Sequence, residues 1–317
     1  MQTTCTSKPS HTSTKLSLKK NEECGYSTII SVIMTLVMSI IVLSTLVGCS
    51  PLDVLNAVTP SDQQRKIADI PYGTKPRQQL DIYIPDDRQS NRDVVVFYYG
   101  GSWRNGEKEQ YRFVADALTE NGVVVVIPDF RLYPQADWKE MLADAAAANQ
   151  WTIENIKQYG GNPQRVFLQG HSSGAHMAAM VALDDKLRQR AGSVTTPCGL
   201  IGLAGPYDFL PIQSRKVKQV FSSANGQLPV TQPITYVSAD DPSAFLLSGA
   251  DDSTVYPSNS INLGKALKSN GVNAQVKIYP DIGHAGVVAS LAPLFRSRAD
   301  TLVDIMHFIN TTPCNSS

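Results

Sequence analysis

The chain has 317 residues, 42% of them hydrophobic and 18% charged, and its 28 basic and 28 acidic side chains cancel to a formal net charge of zero. That length supports one large domain with a substantial core or two small ones, and the balanced charge gives no electrostatic reason to bind nucleic acid. Five histidines and five cysteines occur without CxxC or HExxH spacing, so neither a metal site nor a cofactor is expected.

The first elements differ from the rest. Residues 1–28 are rich in Ser, Thr and Lys, and Ile29–Val47 is then an uncharged run of 19 residues. As a helix such a run is about 28 Å long, close to the ~30 Å of a bilayer core. It exceeds the roughly 7–15 residues of a signal-peptide core, which suits an uncleaved anchor with its basic end in the cytoplasm. Its ending favours another reading. Leu46-Val47-Gly48-Cys49 resembles the lipobox of bacterial lipoprotein signal peptides, in which the residue matching Cys49 is lipidated and becomes the new N-terminus. Both readings export the globular part and tether it to a membrane. The expected organisation is therefore a signal peptide or anchor over 1–48, a tether over 49–66, and a globular domain over 67–312.

From there strands and helices alternate. QQLDIYIP (78–85) alternates polar and apolar residues, as a half-buried edge strand does. DVVVFYYG (93–100), VVVVIPDF (123–130), RVFLQG (165–170), GLIGLAG (199–205) and AFLLSGA (244–250) are short apolar runs that suit strands buried on both faces. AQVKIYP (274–280) alternates again. Helical spacing appears in 109–122, 138–161, 172–190, 259–271 and 291–310. The alternation predicts an α/β fold with an open, mostly parallel sheet covered by helices on both faces. Residues 206–243 interrupt it with a proline-bearing stretch after a strand end, where a cap or lid insertion is expected.

The chemistry centres on FLQGHSSGAHMAA (167–179), which sets Ser172 between Gly170 and Gly174. Such a three-position pattern arises by chance in about one chain in ten of this length, so its neighbours must decide. Ser172 follows a strand and opens a helix, the setting of a nucleophile elbow. A serine hydroxyl needs an adjacent base. On this kind of elbow the chain order is Ser, then Asp or Glu, then His. His284, in the loop YPDIGHAG, is the candidate base, whereas His307 lies within the last helix, and His171 and His176 are read as structural. The acid comes from LLSGADDSTVYP, where Asp251 and Asp252 are adjacent and only one can orient His284. Backbone N–H groups for an oxyanion come from Ser173, after the nucleophile, and from Gly101 and Ser102 in YYGGSW (98–103).

These segments together resemble the esterase/lipase group of the α/β-hydrolase superfamily, near its hormone-sensitive-lipase, feruloyl-esterase-like and kynurenine-formamidase-like branches. YYGGSW is similar to the His-Gly-Gly-x-Trp oxyanion loop of that group, with Tyr99 in place of the histidine, and PDFRLYP (128–134) to its Asp-Tyr-Arg-Leu-x-Pro segment. GHSSGAHMAA resembles its elbow and GHAG its histidine loop. GADDSTV fits Gly-x-x-Asp-x-x-Val, which selects Asp252 over Asp251. The match runs from about residue 67 to 310. It implies an α/β-hydrolase fold, a Ser172-Asp252-His284 triad, and Arg131 as a structural ion-pair former.

The function expected from this reading is a serine carboxylic-ester hydrolase acting through an acyl-enzyme on a small-molecule ester. The alternatives are an amidase using the same triad and a non-catalytic tethered scaffold. Trp103, Tyr207, Phe209 and Phe221 stand open between lining an acyl or aryl pocket and packing the core. The oligomeric state has no sequence signal. After processing at Cys49 only Cys198 and Cys314 remain, in an oxidising compartment. Cys198 lies just before a parallel strand and Cys314 just after the last helix, so both fall at the sheet edge opposite the catalytic loops, and a disulfide between them is expected.

Overall fold

The computed structural model describes residues 51–57, 59, 64–87, 89–193 and 195–314. The expected leader 1–48 and Cys49 lie outside the described residues. Among the described residues no helix is long and apolar enough to cross a membrane. The chain divides between Val54 and Leu55 into two units, and the second carries the sheet and every candidate site residue other than Cys49.

Among the described residues, eight strands form one sheet in the order β1-β2-β4-β3-β5-β6-β7-β8. They are β1 (Gln64–Pro71), β2 (Gln79–Pro85), β3 (Arg92–Tyr98), β4 (Val124–Pro128), β5 (Gly161–His171), β6 (Gly199–Leu203), β7 (Ser243–Gly249) and β8 (Ala274–Tyr279). Pairing is antiparallel at β1–β2 and β2–β4 and parallel from β4 through β8. This is the α/β-hydrolase fold. The inner parallel strands β4, β3, β5, β6 and β7 carry apolar runs that are buried, as strands covered on both faces require, whereas β8 at the edge mixes buried with half-buried and exposed positions.

The helices are α1 (Pro51–Ala57), α2 (Arg112–Thr119), α3 (Trp138–Asn155), α4 (Ser173–Leu183), α5 (Asp185–Arg190), α6 (Arg215–Val220), α7 (Ser258–Ser269), α8 (His284–Ala289) and α9 (Thr301–Thr311). Helix α3 starts at a capping box: the Asp137 carboxylate accepts from the N–H of Glu140, whose side chain accepts from the N–H of Asp137. Helix α2 packs with α9, and α3 packs with α4 and α5.

Four local expectations change. α1 and the start of β1 occupy residues expected to be tether, and β1 begins at Gln64. QQLDIYIP is not an edge strand, because β1 flanks β2 on its outer side. Its alternation misleads because a polar position, Asp81, is itself buried, with its carboxylate against Lys66 at 2.7 Å and Lys108 at 3.0 Å. The helical stretch 172–190 breaks into α4 and α5 at Asp184, whose side chain caps the second helix by accepting from Lys186 and Leu187. The stretch 291–310 begins as a 3₁₀ turn, Pro293–Arg298, before α9.

Cys198 and Cys314 are joined as a disulfide, with Cα atoms 4.7 Å apart and a sequence separation of 116. Closing a loop of that length in the unfolded chain is worth roughly 4–5 kcal/mol in the chain-entropy model.

Register places the site. Tyr98 pairs with Gly170, His171 with Leu203, Leu203 with Leu247, and Gly249 with Tyr279. The carboxyl ends of β3, β5, β6, β7 and β8 therefore line up along one edge. The loops leaving that edge carry Gly101, Ser172, Asp252 and His284. Residues 206–243 leave the same edge after β6 and run through α6 and three 3₁₀ turns, Ser222–Ala224, Leu228–Thr231 and Pro233–Tyr236.

Candidate active site

Ser172 sits on the turn from β5 into α4 with φ 55° and ψ −125°, a conformation non-glycine residues rarely adopt. Holding one residue there costs on the order of 1–3 kcal/mol. The neighbouring glycines make the turn fit. A methyl group at Gly170 would run into the Gly174 carbonyl, and one at Gly174 into the carbonyls of Tyr98 and Tyr99. The turn is pinned by the Ser172 N–H donating to the Leu203 carbonyl at 2.9 Å.

His284 is the first residue of α8, directly after the loop from β8, and so lies on a helix start where a loop was expected. Its Nε2 stands 2.9 Å from Ser172 Oγ and its Nδ1 2.8 Å from Asp252 Oδ2. An ionised carboxylate only accepts, so Nδ1 carries the proton and Nε2 accepts from the serine hydroxyl. Asp252 is 2% exposed. Burial alone pushes its pKa up, but hydrogen bonds from His284 and from the N–H groups of Val255 and Thr254 outweigh it and hold the carboxyl below its ordinary value. Asp251, one residue earlier, is exposed, and only its backbone engages the histidine loop, through its N–H to the Ile282 carbonyl at 3.0 Å.

The loop after β3 crosses beside the elbow. A methyl group on Gly100 would stand 3.1 Å from Ser172 Cβ. The next three residues all have positive φ: Gly101 at 142°, Ser102 at 55° and Trp103 at 59°. Among the described residues, the backbone N–H groups of Gly101, Ser102 and Ser173 have no hydrogen-bond acceptor. Three uncommitted donors beside the Ser172 hydroxyl are an arrangement able to receive an oxyanion.

The surrounding residues are structural in geometry. Tyr99, where the resemblance expects histidine, donates to Asp129 Oδ1 at 2.7 Å, accepts from Arg77 at 2.7 Å and stacks on Phe130. Arg131 makes paired bonds of 2.9 and 2.8 Å to the buried Asp144 and a third to Glu140. His307 is exposed on α9. His171 is buried, with Nε2 3.2 Å from the His284 carbonyl, a contact no sequence pattern signals. Trp103 and Phe221 are buried against each other, and Phe209 packs on both; Tyr207 is fully buried. Asn259, also missed by the sequence, accepts from the N–H groups of Tyr207 and Asp208 and donates to the Tyr256 carbonyl, stapling the loop after β6 to the loop holding Asp252. Among the described residues, the only three carboxylates close enough to share a cation are Asp69, Asp81 and Glu109. They surround the ammonium of Lys108, which already supplies the positive charge.

The family model described as BD-FAE matches residues 80–267. The chain belongs to the BD-FAE family. This BD-FAE chain is 30% identical over 259 residues to a probable isoprenylcysteine alpha-carbonyl methylesterase of Oryza sativa subsp. japonica, covering 75% of the chain and 62% of that relative. It is 27% identical to a kynurenine formamidase of Danio rerio over 71% of the chain and 76% of the relative. The BD-FAE chain thus spans less than two thirds of the plant methylesterases' length. In solved structures it resembles inhibited esterase B of Lactobacillus rhamnosis with a TM-score of 0.73 at 19% identity, over 86% of the chain and 95% of that structure.

Proposed function

We propose that this protein is a serine carboxylic-ester hydrolase working through an acyl-enzyme. The observation that carries the reading is the unbroken hydrogen-bond chain from Ser172 Oγ through the His284 ring to a buried Asp252, at 2.9 and 2.8 Å. Ser172 Oγ attacks the ester carbonyl carbon while its proton passes to His284 Nε2. The imidazolium that forms faces the Asp252 carboxylate. The carbonyl oxygen becomes an oxyanion held by the N–H groups of Gly101, Ser102 and Ser173. His284 then gives the proton to the departing alkoxide, and the alcohol leaves. Water, activated by the same histidine, attacks the acyl-serine and releases the acid. Residues 206–243 cover this site as a cap.

The same steps cleave an amide, and the similarity to a kynurenine formamidase over 76% of its length favours keeping that second reading. A panel of p-nitrophenyl esters of graded acyl length, run beside an aryl formamide, separates the two. Ester turnover should exceed formamide turnover and be abolished by a fluorophosphonate. Formamide turnover alone would establish the amidase, and no turnover of either would defeat both readings.

We further propose export and tethering, with 1–48 as the leader and Cys49 as the lipidated residue, supported by the lipobox-like Leu46-Val47-Gly48-Cys49. Cys49→Ala should abolish incorporation of labelled palmitate and leave the precursor at full length. A variant processed and tethered like the parent would replace this reading with the plain anchor.

A further inference from the structure

His176 lies four residues beyond Ser172 in the first turn of α4 and is 1% exposed; its backbone N–H donates to the Ser172 carbonyl at 3.2 Å, but its ring hydrogen-bonds to none of Ser172, His284 and Asp252. Both of its ring nitrogens are nevertheless used. One stands 2.8 Å from the Thr231 carbonyl, which only accepts, so Nε2 carries the proton. The other, Nδ1, is left to accept from the indole N–H of Trp103 at 3.3 Å. Burial pushes the ring's pKa down to about 4, which keeps Nδ1 unprotonated at neutral pH.

The two partners belong to the two segments that frame the site. Trp103 ends the positive-φ run that begins at Gly101, and such a run persists only where its surroundings hold it. Its backbone is held by the Tyr133 N–H donating to its carbonyl at 2.9 Å, and its side chain meets the His176 ring edge-on at 5.1 Å. Thr231 belongs to the segment 206–243. There Gln232 donates to Thr231 Oγ1 at 2.8 Å and accepts from the Phe209 N–H at 2.8 Å, so one side chain ties Thr231 to Phe209. Phe209 and Phe221 of the same segment close the cluster around His176 at ring distances of 5.9 and 5.7 Å.

We propose that His176 is a positioning residue that latches the segment 206–243 to the loop bearing Gly101 and Ser102, so that the seating of that segment sets the loop's backbone. This rests on the reading of Ser172 as nucleophile and of that loop as the oxyanion site. An unlatched loop misaligns donors that act on the transition state, so kcat falls while KM stays. An unlatched segment also opens its exposed basic residues, Arg215, Lys216 and Lys218, to protease.

Two substitutions on the full chain separate hydrogen bonding from ring packing. His176→Phe keeps a planar ring without its nitrogens, and His176→Gln restores a donor and an acceptor on one planar group. His176→Phe should lower kcat for p-nitrophenyl acetate by about 10- to 100-fold, less than deleting an oxyanion donor outright, and speed tryptic cleavage after Arg215, Lys216 and Lys218. His176→Gln should recover most of both. Trp103→Phe, which removes the indole N–H together with part of the ring and leaves His176 in place, serves if His176→Phe does not fold, and should lower kcat in the same direction. Parent-like kcat and cleavage in His176→Phe, or a folded His176→Gln as impaired as His176→Phe, would overturn the latch, as would parent-like kcat in Trp103→Phe. The tryptic readout is independent of chemistry. Absence of Ser172-dependent hydrolysis in the parent would sink the esterase reading and leave the latch to be judged by cleavage.

Discussion

Replacing Ser172 with alanine should lower kcat by roughly 10³-fold or more and abolish covalent labelling by a fluorophosphonate. The methyl group leaves His284 with no hydroxyl to deprotonate and no Oγ to carry the acyl group, so the two-step route closes. The fold should survive. Alanine is smaller than serine, and the bonds that pin the turn, from the Ser172 N–H to the Leu203 carbonyl and from the N–H groups of Ala175 and His176 to the Ser172 carbonyl, are backbone bonds. Residual turnover comes from water attacking a substrate still polarised by the loop N–H groups, which alone sustain catalysis well above the background. Measurement of kcat alongside thermal unfolding checks both halves. Full labelling of the variant would mean that another residue is the nucleophile.

Asp252→Asn should cost on the order of 10⁴ in kcat, by the precedent of serine hydrolases in which the orienting aspartate becomes an amide. The substitution is nearly isosteric, and the loss is one of proton placement. The carboxylate only accepts, which forces the proton onto His284 Nδ1 and leaves Nε2 free to take the serine proton. An amide nitrogen facing Nδ1 reverses that preference. Thr254 and Val255 would still find an acceptor at the amide oxygen, so the loop should hold. Asp251→Asn removes an exposed charge whose side chain does not meet the ring and should change kcat less than about threefold, within the range of surface substitutions. Equal losses in the two variants would show that the acid is not Asp252.

Much of this site is legible in the sequence because it is built from short-range geometry. A serine between glycines at 170 and 174 records a close approach of two backbones, and the structure places the Tyr98 carbonyl where a Cβ at Gly174 would be. The unbroken apolar runs record strands covered on both faces. The chain order of Ser172, Asp252 and His284 is the one the resemblance to α/β-hydrolases implies, and each sits in a loop that leaves the same sheet edge. Three features escape such reading. β1, QRKIADIP, has a largely exposed pattern and no clean alternation, and it forms because β2 offers it a ladder of backbone partners. Asp81 looks like an outward-facing residue until Lys108 arrives from another segment to neutralise it within the fold. The helical stretch 172–190 is periodic throughout, yet Asp184 diverts two N–H groups to its own side chain and breaks it.

By itself, then, the sequence determined the α/β class, the strands that carry the site, and the residue types at the turns, since each depends on local periodicity or on a steric demand within a few residues. Only the tertiary structure decided which groups meet. It buried Asp81 against Lys66 and Lys108, tied the loop after β6 to the loop holding Asp252 through Asn259, and brought Thr231 and Trp103 to the two nitrogens of His176. The reason is physical. A side chain's partner across the sheet is chosen by how strands register and how loops close over them, and those choices minimise the free energy of the whole packed core rather than of any segment of it.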